Sequence, residues 1–267
     1  MSLILSSAGV LALIALVLGA FLAVASVIFK VEGNDTEEKV ASLLPGANCG
    51  GCGYAGCASM AKAIANGEES VSACSIVSQE NADAICEILG MEKPEIIVKR
   101  AVVRCRGNCN NTKNKYDYIG IHDCNAAMRV SGGPNACDFG CLGLGSCAAV
   151  CPENAIVIEN ELARIDRDKC IGCGACAKAC PKKVIEIIPE THGILVKCKN
   201  TQKGAEVRKY CDVGCIACKI CEKNCPEGAI SVDSGLAVID FSKCTACGTC
   251  VEKCPKGLII RAGETVK

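Results

Sequence analysis

The stretch NACDFGCLGLGSCAAVCP, Asn135 to Pro152, closes on a cysteine followed by proline. A close of that kind ends the spacing C-x2-C-x2-C-x3-C-P, which brings thiols near enough together to ligate a metal cluster. The stretch departs from this spacing at one position. Leu144 stands where the middle cysteine belongs, and an extra Cys137 lies upstream of Cys141.

The rest of the chain supplies a register in which to read this irregularity. Adding 74 carries Cys124, Cys137, Cys141, Cys147 and Cys151 onto Cys198, Cys211, Cys215, Cys221 and Cys225. It also carries Cys170, Cys173, Cys176 and Cys180 onto Cys244, Cys247, Cys250 and Cys254. One offset for so many positions marks a tandem copy. In each copy two loops flank an alternating apolar hairpin, AIVIENELARID after Cys151 and AISVDSGLAVID after Cys225.

Loop, hairpin, loop is the pattern of a two-cluster bacterial-type ferredoxin. There, three cysteines of one loop hold one cluster, and the cysteine before proline ligates the other. The expected sets are Cys215, Cys218, Cys221 with Cys254; Cys244, Cys247, Cys250 with Cys225; and Cys170, Cys173, Cys176 with Cys151. In the fourth set Leu144 aligns with Cys218, leaving Cys141, Cys147 and Cys180. Cys137 is the nearest thiol able to complete it, and is the expected ligand. Two other readings stay open: a three-cysteine [3Fe–4S] cluster, and a separate sixth cluster combining Cys137 with Cys105, Cys109 and Cys124. Cys211, the counterpart of Cys137, exists although its own copy has a full set, so compensation alone does not explain the extra cysteine.

Composition agrees with metal ligation. The chain has 267 residues, 26 of them cysteine, with no Trp and 3% aromatics. Cysteine this abundant can mark a secreted disulfide scaffold, but tight C-x2-C runs ending in C-P suit clusters better. Such thiolates belong in reducing surroundings. The formal net charge is +0 before any cluster is counted, and nothing suggests nucleic-acid binding.

Upstream, CGGCGYAGC and Cys74 give C-x2-C-x4-C-x16-C, namely Cys49, Cys52, Cys57 and Cys74. ASMAKAIAN after Cys57 reads as a helix ending at Asn66-Gly67, which puts Cys57 near a helix N-terminus that favours a thiolate. Four cysteines in so short a module point to one [4Fe–4S] cluster, with a zinc site as the competing reading. Cys86, within NADAICEILGM, reads as a buried thiol in an amphipathic helix. EIIVKRAVVR, Glu95 to Arg104, reads as a strand. The isolated His122 and His192 read as surface or turn residues.

No charged side chain occurs before Lys30. As a helix this segment would extend about 43 Å at 1.5 Å per residue, enough to cross a bilayer core. It lacks the basic start of a signal peptide. Lys30, Lys39 and Lys62 follow it, so the positive-inside rule places the N-terminus outside and the cysteines in the cytoplasm. The expected fold class is α+β: a single N-terminal transmembrane helix, a small helical four-cysteine module, and two tandem two-cluster bacterial-type ferredoxin domains. The expected boundaries are an anchor at 1–30, a linker at 31–38, the module at 39–92 and a connecting cysteine-containing segment at 93–136. The first ferredoxin domain follows at 137–192, a connector at 193–210, and the second ferredoxin domain at 211–267.

There is no G-x-G-x-x-G after a strand, no P-loop and no nucleophile–base pair, so the chain reads as an electron carrier without a catalytic site of its own. An N-terminal anchor, CGGCGYAGC with a later cysteine, and downstream ferredoxin repeats together closely resemble the B subunits of Rnf complexes, over nearly the whole chain. The resemblance implies a membrane subunit that takes electrons from reduced ferredoxin. It would relay them to other Rnf-type membrane subunits, coupling ferredoxin oxidation, commonly with NAD+ as acceptor, to Na+ or H+ translocation. The alternative is an anchored polyferredoxin of another anaerobic reductase or hydrogenase. Five [4Fe–4S] clusters are expected, with a sixth involving Cys105, Cys109 and Cys124 left open. The basic run KRAVVRCRGNCNNTKNK, Lys99 to Lys115, offers one docking surface for an acidic ferredoxin.

Overall fold

The computed structural model describes residues 13–24 and 35–263. Residues 13–24 form an exposed apolar helix, α1, with Leu13, Leu16, Phe21 and Leu22 all facing outward. Among the described residues no helix is long and apolar enough to cross a membrane. The remainder of the expected anchor, 1–12 and 25–30, and half of the linker lie outside the described residues.

The four-cysteine module is helical. α2 (Asp35–Leu43), α3 (Cys57–Ala65) and α4 (Gln79–Leu89) enclose a core of Val40, Met60, Ile64, Val71, Ala82 and Ile85. Ser78 caps α4 by accepting from the Asn81 N–H, and Gly90 ends it in the left-handed conformation. Cys86, on the buried face of α4, is 1% exposed. α3 covers the expected helix and ends at Asn66.

Two ferredoxin units follow, built alike. In the first, β1 (Lys99–Val103) pairs antiparallel with β4 (Ile185–Pro189), and β2 (Ile156–Glu159) forms a hairpin with β3 (Leu162–Ile165). In the second, β5 (Ile194–Val196) pairs with β8 (Ile259–Arg261), and β6 (Ile230–Ser231) with β7 (Val238–Ile239). Short helices stand between the strands of each unit: α6 (Ser146–Ala149) and α7 (Ala175–Ala179) in the first, α9 (Ile220–Lys223) and α10 (Thr249–Lys253) in the second. Each of the four begins one residue after a left-handed N-cap. β1 comes from the stretch expected to connect module and ferredoxin, and β5 from the stretch expected to connect the two ferredoxins. Each is the outer strand of the unit that follows it.

Strand alternation decides what the outer strands touch. Ala101, Val103 and Ile185 turn into the core of the first unit, and Ile194, Val196 and Ile259 into that of the second. The intervening Val102, Leu195 and Ile260 face the other way and pack together with Ile188, closing the seam between the units. The seam is also crossed reciprocally. Arg106 donates to the Gly257 carbonyl, while Lys199 donates to the Lys183 carbonyl at 2.7 Å. Arg104 pairs with Glu186 at 2.9 Å and donates to the Val196 carbonyl at 3.1 Å; Lys199 also pairs with Glu186, at 3.1 Å. Arg104 and Arg106, the centre of the expected docking surface, are therefore spent on holding the two units together.

The stretch between Cys105 and Cys137 is longer than its counterpart between Cys198 and Cys211 and contains α5 (Cys124–Met128). Its middle lies against α8 (Gly204–Tyr210) of the second unit. Lys113 donates its N–H to the Tyr210 carbonyl, and Asp212 donates to the Asn111 carbonyl, each at 2.9 Å.

Candidate metal centres

All 26 cysteines are free of disulfide bonds. The ferredoxin loops bring the regular sets together as the cross-over pattern requires. Cys151, Cys170, Cys173 and Cys176 line one cavity of about 330 Å³, and Cys215, Cys218, Cys221 and Cys254 line another of about 340 Å³. Cys225, Cys244 and Cys247 lie close enough to Cys250 to act on it electrostatically. In the helical module Cys52 and Cys57 pack against the core that contains the buried Cys74; burial pushes the Cys74 thiol up, and the nearby Cys52 and Cys49 add to that.

Backbone amides point at these sulfurs, as they must for a cluster-bearing loop. The Ala155 N–H donates to Cys151 Sγ and the Ala229 N–H to Cys225 Sγ, both at 3.3 Å, and Ala101 donates to Cys170 Sγ at 3.4 Å. Burial pushes the Cys176 and Cys221 thiols up to about 11. A thiol so raised is a poor anion by itself, and a metal that binds it as thiolate displaces its proton to solvent.

The fourth set differs from expectation. The cavity holding Cys141, Cys147 and Cys180, about 350 Å³, is completed by Cys124; Cys137 is not among its lining residues. Cys124 arrives on α5, within the longer stretch between Cys105 and Cys137. Its N–H donates to Ser146 Oγ at 2.7 Å, and Ser146 Oγ donates to Asp123 at 2.6 Å. Asp123 in turn caps α5 by accepting from Ala126. Leu144 packs among Cys124, Ala127 and Leu142. The position that lost a ligand now supports the residue that replaces it.

The correspondence of Cys124 with Cys198 at offset 74 is therefore numerical only. The structural counterpart of Cys198 is Cys105. Val-Val-Arg-Cys, ending at Cys105, follows from β1 as Leu-Val-Lys-Cys, ending at Cys198, follows from β5. The Arg104 N–H donates to the Val184 carbonyl at 2.7 Å, and that of Lys197 to the Leu258 carbonyl, 74 positions on, at 2.8 Å. Each cysteine also lies against the first cysteine of the following loop: Cys198 Sγ accepts from the Cys215 N–H at 3.5 Å, and Cys105 neighbours the backbone of Cys141. The repeated V-[RK]-C after a strand was the sequence signal for this match.

Cys105, Cys109 and Cys124, grouped as candidates for a sixth cluster, do not come together. Cys124 joins the set above, Cys105 lies at the seam, and Cys109 is exposed. His192 stacks on Phe241 with ring centroids 3.6 Å apart and has no part in any set.

Among the described residues no three of His, Cys, Asp or Glu converge closely enough to hold a single metal ion. Tetrahedral zinc, with Zn–S about 2.3 Å, would draw four sulfurs to within about 4 Å of one another. The thiols instead ring cavities, which fits a multi-iron cluster with its own sulfides between the protein ligands.

The sets also adjoin one another. Gly51, in the helical module, lies against the Cys173 carbonyl so closely that a Cβ would collide with it. Lys178 Nζ donates to the Gly50 carbonyl at 3.0 Å and Ser75 Oγ to the Gly172 carbonyl at 3.5 Å. The module's cysteines thus sit beside the Cys151–Cys170–Cys173–Cys176 set, and Cys176 is in turn an electrostatic neighbour of Cys147.

Comparison with known proteins agrees with this assignment of parts. An Fe-S cluster family matches residues 44–76, a 4Fe-4S binding domain residues 163–186, and a 4Fe-4S dicluster domain residues 214–259. The chain is 43% identical over 90% of its length to the B subunit of the Na+-translocating ferredoxin:NAD+ oxidoreductase complex of Acetobacterium woodii, covering 72% of that protein. It is 44% identical over 87% of its length to the B subunit of the proton-translocating ferredoxin:NAD+ oxidoreductase complex of Clostridium ljungdahlii, covering 83% of it. To the B subunit of the ion-translocating oxidoreductase complex of Methanosarcina acetivorans it is 41% identical over 91% of its length, covering 92% of that protein. With four-thiolate sets in a helical module and in two ferredoxin units, and with likeness of this extent, the chain belongs to the family of B subunits of Rnf-type ion-translocating oxidoreductase complexes.

Proposed function

We propose that the chain is the electron-carrying subunit of an Rnf-type complex. In this role it takes electrons from reduced ferredoxin and passes them to membrane partner subunits, and the complex as a whole moves Na+ or H+ as NAD+ is reduced. The carrying observation is the adjacency of the thiolate sets, which run from the helical module through both sets of the first ferredoxin unit. Clusters bound there would supply one-electron carriers. The protein's own part is to fix the thiolates, aim backbone N–H groups at them and keep water away. The names of the Acetobacterium and Clostridium relatives differ in the ion they move, so the ion is assigned by transport measurement and not by likeness.

The uncharged N-terminal segment is the membrane anchor in this reading. Its support is the absence of charge before Lys30 and the outward-facing apolar side chains of α1. The extramembrane cysteine sets then lie in the cytoplasm, where thiolates stay reduced.

The test is anaerobic reduction of the intact, iron-loaded chain by reduced ferredoxin, followed by bleaching of its visible absorbance. Reduction at a rate that falls with rising salt is expected for a charged electron donor. A loaded chain that dithionite reduces but ferredoxin does not would exclude this role.

A further inference from the structure

The seam between the ferredoxin units holds a partly open pocket of about 420 Å³ that belongs to neither loop system. Four cysteines line it: Cys105 and Cys137 from the first unit, Cys198 and Cys211 from the second. None of the four is in a set already described. Both pairs are placed by the same device, one cysteine just after the outer strand and one four residues before the loop. We propose that these four thiolates hold a sixth [4Fe–4S] cluster, shared between the units and bridging their clusters.

Three observations carry the assignment beyond the presence of cysteine. The cavity is similar in volume to those of the sets with regular ferredoxin spacing, at about 330 and 340 Å³. Its wall is basic: Arg104, Arg106, Lys197 and Lys199 all line it. Four thiolates around a [4Fe–4S] core leave a net negative charge, and these cations, two of which share the Glu186 carboxylate, offset part of it. Hydrogen-bond donors are also in place. Asn200, 2% exposed, donates through Nδ2 to Cys137 Sγ at 3.4 Å, and Cys198 Sγ accepts from the Cys215 N–H at 3.5 Å.

The site's position gives it a role, which rests on the electron-carrying function proposed above. Cys105 neighbours Cys141, a ligand of the first unit's altered set, and Cys198 accepts from the N–H of Cys215, a ligand of the second unit's set. One electron received from one side leaves to the other, with no bond made or broken. The basic wall and the Asn200 donor favour the reduced, more negative state, so this centre takes up electrons more readily than a site without them.

The full chain, reconstituted anaerobically, tests this by metal analysis and redox titration. About 24 irons per chain are expected for six four-iron clusters. Cys198→Ser and Cys211→Ser should each lower the count, by about one iron for a three-iron remnant or by about four for complete loss. Both lie outside the altered set, so their effect cannot come from it. Asn200→Leu and Lys197→Met keep all four ligands. With the iron count held at the native value, each should move one centre to lower potential. About 20 irons in the native chain, unchanged by Cys198→Ser and Cys211→Ser, would overturn the sixth site and leave the electron-carrying role standing. One zinc per chain lost in those two variants would also overturn it. A chain that binds no iron at all would instead defeat the broader reading.

Discussion

In the second ferredoxin unit Cys218 comes from the loop itself, three residues from Cys215 and three from Cys221. In the first unit the equivalent position is Leu144, and the fourth thiol, Cys124, comes from a helix in a stretch longer than its counterpart in the second unit. The cavities are nevertheless alike, about 350 and 340 Å³. What the fold holds constant is the point in space at which a thiolate is needed. The part of the chain that delivers it is free to change, provided that something fixes it; in the first unit this is the Asp123–Ser146–Cys124 hydrogen-bond chain.

The most decisive way to break this comparison is to exchange the suppliers. Cys124→Ser should remove up to about four irons from the loaded protein, as Cys218→Ser should in the other unit. Adding Leu144→Cys to Cys124→Ser restores the regular loop and should return the iron. Failure of that rescue would mean that the backbone around Leu144 no longer presents a side chain to the cavity. Cys109→Ser, at an exposed thiol of the same segment, should leave the iron count unchanged.

A smaller effect is expected where the units meet. Leu195 is 6% exposed and packs on Val102 across the seam. Leu195→Ala should destabilise the protein by about 2–3 kcal/mol, read as a lower denaturation midpoint. Val157→Ala, at a position 51% exposed on the hairpin of the first unit, should have little effect. Equal losses from the two would show that the seam does no more than the surface.

The smallest effect concerns Glu186, which joins Arg104 of its own unit to Lys199 of the other. Burial alone would raise its carboxyl, but the hydrogen bonds and charges of Arg104 and Lys199 outweigh it and hold the pKa below the ordinary value. A lowered folded pKa means that the stabilisation is present above the unfolded value of about 4.3 and is lost as pH falls through the folded value. Glu186→Gln should cost about 1 kcal/mol at neutral pH and flatten the stability profile below about pH 4. A profile identical to that of the native chain would remove Glu186 from the seam.

Much of this was legible in the cysteine spacing. Loops ending in C-P dictate cross-over ligation, and the structure places Cys151 with Cys170, Cys173 and Cys176 around one cavity and Cys254 with Cys215, Cys218 and Cys221 around another. The altered site was harder because the 74-residue register paired Cys124 with Cys198. That register holds from Cys137 onward, but Cys105 and Cys137 are 32 residues apart whereas Cys198 and Cys211 are 13 apart. The length difference falls where only strand context, V-[RK]-C after an apolar run, distinguishes a true match from a chance one. Proximity in sequence favoured Cys137 as the replacement ligand. It failed because Cys137, like Cys211, turns to the seam, while Cys124 returns to its own unit from farther away. Nor does charge along the sequence tell a docking face from an internal one: Arg104 and Arg106 are basic because of what they bind inside the protein.

A cavity walled by both units also sets a timetable for biosynthesis. Cys105 leaves the ribosome long before Cys211, and at about 5–20 residues per second the interval is roughly 5–20 s. Through that interval the early thiols have no partners from the second unit and are open to oxidants, stray zinc and incorrect pairing. Cluster delivery to the seam must follow translation of both units, whereas the helical module can be loaded as soon as Cys74 emerges. Brief oxygen exposure of growing cells should therefore harm newly made chains more than finished ones, with the injury concentrated where the halves join.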